Sequence, residues 1–202
     1  MLPGKEFFTH SKYLGEMGPY ERLRLYSYVI ERRPRTILEV GTGEGGGSTY
    51  YLLKALQANG DGGRVFTCDP GRGPTQEMLA EFGDSLIYRA ILSEQLIDAM
   101  LSRNFIPDFL FFDGPEIPEL ALRDLQKLEP HLATGTIFCM HDWELSRRPS
   151  DGNISKKSLL VRPYIENSAQ WRSLEVLSGT KKNSDYDNLP YDSVGLAFFE
   201  KL

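Results

Sequence analysis

Glu39, Gly41, Gly43, Gly45 and Gly46 stand close together in the stretch LEVGTGEGGGST, where an apolar run gives way to glycines and then to a helical pattern. Gly41, Gly43 and Gly46 satisfy G-x-G-x-x-G, a turn that lets backbone approach a ligand at a helix N-terminus, and Asp69 lies where folds using that turn keep an acid for ribose hydroxyls. A pyrophosphate at such a turn wants amide hydrogens and positive charge. Glu39 and Glu44 flank the glycines and would repel it, so these residue types ask for a ligand carrying positive charge. Two further acids close apolar runs: Asp113 in DFLFFDGPE and Asp142 in GTIFCMHDWE. Two carboxylates converging at one edge repel each other unless a cation or a shared proton intervenes. His141 beside Asp142, and Glu116 after Asp113, are the side chains nearby that could take up a proton. Plainer readings exist for each. Asp113 could cap the turn at Gly114, Asp142 could pair with Arg147 or Arg148, Glu116 could be a favourable charge before Pro118, and Glu39 and Asp69 could be solvated strand ends.

The elements that must position these residues alternate between strand and helix, the pattern of a parallel sheet covered on both faces. A helix over Tyr20 to Arg32 leads into β-rich runs at Thr36 to Val40, Arg64 to Cys68, Leu86 to Leu92, Asp108 to Phe112 and Thr136 to Met140. Between them the 3.6-residue period predicts helices at Ser48 to Gln57, Thr75 to Phe82, Glu94 to Ser102 and Pro118 to Glu129. After Trp143 a polar stretch leads to a helix around Leu159 to Asn167. Two strand-like runs follow, Ser173 to Leu177 and Val194 to Phe199, close enough to pair antiparallel. In open α/β sheets ligands bind at the carboxyl ends of the strands, which is where Glu39, Asp69, Asp113 and Asp142 all fall.

At 202 residues with 41% hydrophobic side chains the chain can bury a full core as one domain, residues 1–202. A net charge of -5 argues against a nucleic-acid or anionic-membrane surface. No apolar run approaches the ~20 residues that span a bilayer, and the start lacks the charged-then-apolar order of a leader. The expectation is a soluble cytoplasmic protein, monomeric or paired as a homodimer, with a small-molecule partner. Cys68 and Cys139 fall inside predicted strands and read as buried thiols. Residues 1–19, 143–158 and 178–192 are the least patterned, the first as a cap segment and the others as variable loops that would shape an acceptor pocket.

S-adenosylmethionine (SAM) has no phosphate and carries an ammonium and a sulfonium, so a carboxylate at the tip of the first strand suits it. Here the chain resembles the class I SAM-dependent methyltransferases, from about Tyr20 to the end. That family's acid followed by G-x-G-x-G is matched by Glu39, Gly41, Gly43 and Gly45, and its second-strand acid by Asp69. The resemblance implies a Rossmann-like sandwich: a seven-stranded, mostly parallel sheet ending in an antiparallel hairpin. It implies Glu39 near the methionine ammonium, Asp69 on the ribose hydroxyls, and Ser48 and Asp113 among the cofactor-facing residues. Asp113 and the His141-Asp142 pair resemble the metal positions of catechol O-methyltransferase-like and macrocin O-methyltransferase-like enzymes, which implies a divalent cation, Mg²⁺ or Mn²⁺, and methyl transfer to a hydroxyl. Glu116 lies three residues beyond Asp113, where the catechol-type enzymes keep their general base. Tyr13 and Met17 could close over the cofactor. Other readings stay open at this point: a metal-independent O- or N-methyltransferase with His141 as base, a nicotinamide-dependent oxidoreductase, or a cofactor-binding module needing a partner.

Overall fold

A computed structural model describes residues 2–15, 17–114, 117–144, 156–177 and 195–202. Its centre is one seven-stranded sheet: β1 (Thr36–Val40), β2 (Arg64–Cys68), β3 (Leu86–Arg89), β4 (Phe109–Phe112), β5 (Ile137–His141), β6 (Trp171–Leu177) and β7 (Leu196–Lys201), in the spatial order β3-β2-β1-β4-β5-β7-β6. The first five strands run parallel, and β7 pairs antiparallel with both β5 and β6. The helices are α1 (Lys5–Thr9), α2 (Pro19–Arg32), α3 (Thr49–Asn59), α4 (Gln76–Phe82), α5 (Ser93–Leu101), α6 (Pro118–Leu128) and α7 (Ser158–Glu166). This is the Rossmann-like sandwich with an antiparallel C-terminal hairpin that the resemblance in sequence implies.

The two faces of the sheet follow from strand alternation. Ile37, Phe109, Phe111, Ile137 and Cys139 pack with side chains of α1 to α4, while Leu38, Val40, Leu110, Phe112, Phe138 and Met140 pack against α5, α6 and α7. Every residue of β4 and β5 is buried, so these central strands are apolar throughout rather than alternating. Both cysteines are free and buried, as their strand positions imply.

Boundaries differ from the sequence pattern where pairing or packing decides them. Strand β3 stops at Arg89, short of Leu92, because it is an edge strand and pairs only with β2. Strand β6 starts earlier, at Trp171, and β7 runs on to Lys201 because the two pair along that length; Val194 lies outside the described residues. Helix α1 gave no sequence signal, since five residues cannot sustain a helix by propensity. It is held by packing, with Phe8 buried and its ring against those of Tyr26 and Tyr51. Among the described residues no helix is long and apolar enough to cross a membrane.

Candidate active site

The glycine turn leaves the end of β1 and is pinned to β2, since the amides of Gly41 and Thr42 both donate to the Cys68 carbonyl at 3.0 and 3.2 Å. Gly41 has φ +95° and Gly45 φ +86°, backbone that other residues rarely adopt. Space matters as much as conformation. A Cβ on Gly41 would stand 2.8 Å from the Gly114 nitrogen and 2.9 Å from the Asp113 carbonyl carbon, and one on Gly46 would stand 2.0 Å from the Tyr13 carbonyl oxygen. The glycines therefore bring the end of β4 and the N-terminal segment against the same turn.

Glu39 is fully buried, and its carboxylate lies at the start of α3, where a negative group is favourable. The Ser48 hydroxyl donates to Oε1 at 2.6 Å and the Thr49 hydroxyl to Oε2 at 2.7 Å. Burial pushes the Glu39 carboxyl up to about 7, against the hydrogen bonds from Ser48, Thr67 and Thr49 that favour its ionised form. Glu39 and Ser48, both expected at the cofactor, thus hold the turn to the helix. Asp69 does similar work from β2, accepting from the Gly43 amide at 3.0 Å through Oδ2 and from the Gly71 and Arg72 amides at 2.8 and 2.9 Å through Oδ1. With about two lone pairs on each carboxylate oxygen, Oδ2 keeps capacity for a further donor.

Residues 11–15 run across this turn. The Gly46 amide donates to the Leu14 carbonyl at 2.7 Å and the Ser11 hydroxyl to the Gly46 carbonyl at 2.9 Å. The Tyr13 hydroxyl donates to Glu81 of α4 at 2.8 Å, and Tyr13 and Met17 are both buried.

At the ends of β4 and β5 the second cluster forms. His141 Nδ1 lies 3.0 Å from Asp113 Oδ1 and 3.3 Å from Asp142 Oδ1, and its Nε2 lies 3.3 Å from Glu21 Oε2. The Lys157 ammonium donates to Asp113 Oδ1 and to the Asp113 carbonyl, both at 2.7 Å, and sits 2.8 Å from Asp142 Oδ2. Burial disfavours a charged imidazole, yet Asp113 and Glu21 outweigh it and hold His141 well above its ordinary value. Burial likewise works to raise Asp113, but Lys157 and His141 overcome it and hold that carboxyl well below the usual range. Asp142 sits at φ +55°, a conformation that Asp tolerates better than most residues.

Asp113, His141 and Asp142 each offer one ligand atom within 4.8 Å of the others, and two carboxylates with an imidazole suit Mn²⁺ or a harder ion. Lys157 already lies between those carboxylates. While it stays there a divalent ion on the same two carboxylates would face a second positive charge. Two members of the cluster had no sequence signal. Glu21 is the third residue of α2 and reaches back to the Gly18 amide at 3.0 Å, a cap that explains an acid there without any site. Lys157 follows another lysine in a polar stretch with no motif. Glu116 lies outside the described residues, as do Arg147 and Arg148.

Comparison with known proteins supplies the rest. The chain is 32% identical to the transmembrane O-methyltransferase of Propithecus coquereli over 142 residues, which cover 66% of this chain and 50% of that protein. It spans about half the length of the curated relatives it matches. The fold is shared with an O-methyltransferase from Bacillus cereus in complex with S-adenosylhomocysteine (SAH), with a TM-score of 0.67, 18% identity, and coverage of 93% of this chain and 83% of that one. It is shared also with the O-methyltransferase TomG of Streptomyces achromogenes in complex with SAM, with a TM-score of 0.62, 18% identity, and coverage of 92% and 81%. Residues 38–143, more than half of the chain and the span from the first strand to the second cluster, match the family model described as a methyltransferase domain, and the chain belongs to that family.

Proposed function

We propose that the protein is a SAM-dependent methyltransferase acting on a hydroxyl of a small-molecule acceptor. One observation carries this reading: Gly41 of the cofactor turn and Asp113 of the second cluster are in backbone contact, so a ligand on the turn lies beside the cluster. Oxygen as the target is supported by the O-methyltransferases to which the chain is similar in sequence and fold.

In the transfer, an acceptor oxygen attacks the methyl carbon in line with the departing sulfur. The O–C bond forms as the C–S bond breaks, the electron pair stays on sulfur to give SAH, and the hydroxyl proton passes to a base. Such a reaction asks for alignment and proton removal rather than covalent help from the protein. Asp69 would take a ribose hydroxyl through its remaining Oδ2 capacity. Glu39 would act on the methionine end through the Ser48 and Thr49 hydroxyls that it fixes.

Glu116 is the base in this proposal. His141 suits that role less, because both its nitrogens are engaged with carboxylates and its proton is held tightly. Glu116→Gln should lower kcat by ~10²-fold or more with SAM affinity unchanged.

A second reading adds Mg²⁺ or Mn²⁺ at Asp113, His141 and Asp142, favoured by the spacing of those ligand atoms. Such an ion would polarise the acceptor oxygen, and it would require Lys157 to leave. Calorimetry tests the main reading: SAM and SAH should bind in the micromolar range, about -8 kcal/mol. Transfer of a labelled methyl group should then favour hydroxyl acceptors over their amine analogues. Binding of NADH with no binding of SAM would replace this function with an oxidoreductase.

A further inference from the structure

We infer that Lys157 is the resident cation of the Asp113, His141 and Asp142 cluster, an ammonium supplied by the chain where a divalent ion would otherwise sit. An ammonium carries three donors, and the Asp113 side chain, the Asp113 carbonyl and the Asp142 side chain offer three oxygens at 2.7, 2.7 and 2.8 Å. The Lys157 side chain is only 4% exposed. Burying a lysine is costly unless it is paired and hydrogen-bonded, and the two carboxylates meet that need. The residue is also fixed from behind, since the neighbouring Ser158 hydroxyl donates to the Trp143 carbonyl at 2.8 Å. The charge that keeps Asp113 and Asp142 together thus comes from the start of α7 as well as from His141 between them.

A metal and this ammonium exclude each other. A Mg²⁺ ion needs oxygen ligands at about 2.1 Å, and an ion sharing Asp113 and Asp142 with the Lys157 ammonium would meet a second positive charge on the same two carboxylates. Lys157 is therefore a positioning residue, its donors spent on the cluster. Resting on the methyltransferase reading, the consequence is turnover with no divalent ion.

The test is a Mn²⁺ titration of the chelator-treated wild-type protein, followed by electron paramagnetic resonance. The expected result is no Mn²⁺ at the cluster up to ~1 mM, with Lys157→Ala binding one Mn²⁺ per chain at least ~10-fold more tightly than wild type and gaining thermal stability from it. The proposal is overturned if wild type binds Mn²⁺ below that concentration with a directly coordinated histidine nitrogen, or with binding that Asp142→Asn abolishes. The wild-type titration stands by itself should Lys157→Ala fail to fold. Methyl transfer undiminished by EDTA supports the proposal, and transfer that requires added Mg²⁺ or Mn²⁺ overturns it. Absence of SAM binding would sink the enzymatic reading alone, because the Mn²⁺ measurement does not depend on activity.

Discussion

The glycine turn after β1 and the ionic cluster after β4 and β5 adjoin at Gly41 and Asp113, yet they are built in opposite ways. The turn draws its acids from the ends of two adjacent strands, Glu39 of β1 and Asp69 after β2, and spends them on backbone amides and hydroxyls. The cluster gathers Glu21, Asp113, His141, Asp142 and Lys157 from α2, two strand ends and the start of α7, and satisfies charge with charge. One site is a shaped backbone held by carboxylates. The other is a set of buried ions held by the whole fold, so damage should stay local at the first and spread at the second.

The largest effect should come from the cluster. Asp142→Ala takes from the buried Lys157 one of its two carboxylates and puts alanine at φ +55°, so urea unfolding should show a loss of about 2–4 kcal/mol. Asp142→Asn should cost clearly less, since asparagine tolerates that backbone and still offers an oxygen. Equal, small losses in both would mean that the ions do not hold this edge. Next comes Gly46→Ala, whose new carbon meets the Tyr13 and Leu14 carbonyls. It should cost ~1–3 kcal/mol and speed hydrogen exchange in residues 11–15, whereas Gly43→Ala, with open space but φ +53°, should cost ~1 kcal/mol.

Asp69→Ala sharpens the contrast by separating a strut from a binding group. SAM affinity should fall by ~1.5–3 kcal/mol in calorimetry. An unchanged Kd with lowered stability would leave Asp69 only its bonds to Gly43, Gly71 and Arg72. The smallest effect concerns Glu39. Its folded value near 7 stands above the ordinary 4.5, so its contribution to stability is full below about 4.5 and is lost as pH rises through 7. Between pH 5 and 6 wild type should lose about 1 kcal/mol that Glu39→Gln does not lose, measured as the difference between their unfolding free energies at the two pH values.

The same contrast explains what could be read from residues alone. Strand runs such as FLFF and IFCMH, and the acid-and-glycine order after β1, are local patterns whose physics needs no knowledge of neighbours, and they led to the sheet and to both edges. The convergence of Asp113 with His141 and Asp142 followed from topology, since adjacent parallel strands end side by side. Glu21 and Lys157 escaped because neither the cap of a helix nor a lysine in a polar stretch says which strand end it will face. Nor does a motif say how a carboxylate is spent. Asp69 and Glu39 stand where the pattern puts them, but their hydrogen bonds to Gly43, Ser48 and Thr49 could not be read from spacing.

Strand β7 follows β6 in the chain but lies between β5 and β6 in the sheet. During synthesis, β5 must therefore wait with one edge open until β7 emerges, although every other strand it needs has already been made. A bare edge on an apolar strand is a template for pairing with other chains, and pairings between distant segments form slowly. An interval of exposure to misassembly therefore precedes β7, and production with chaperones that cover β5 through that wait should improve the soluble yield.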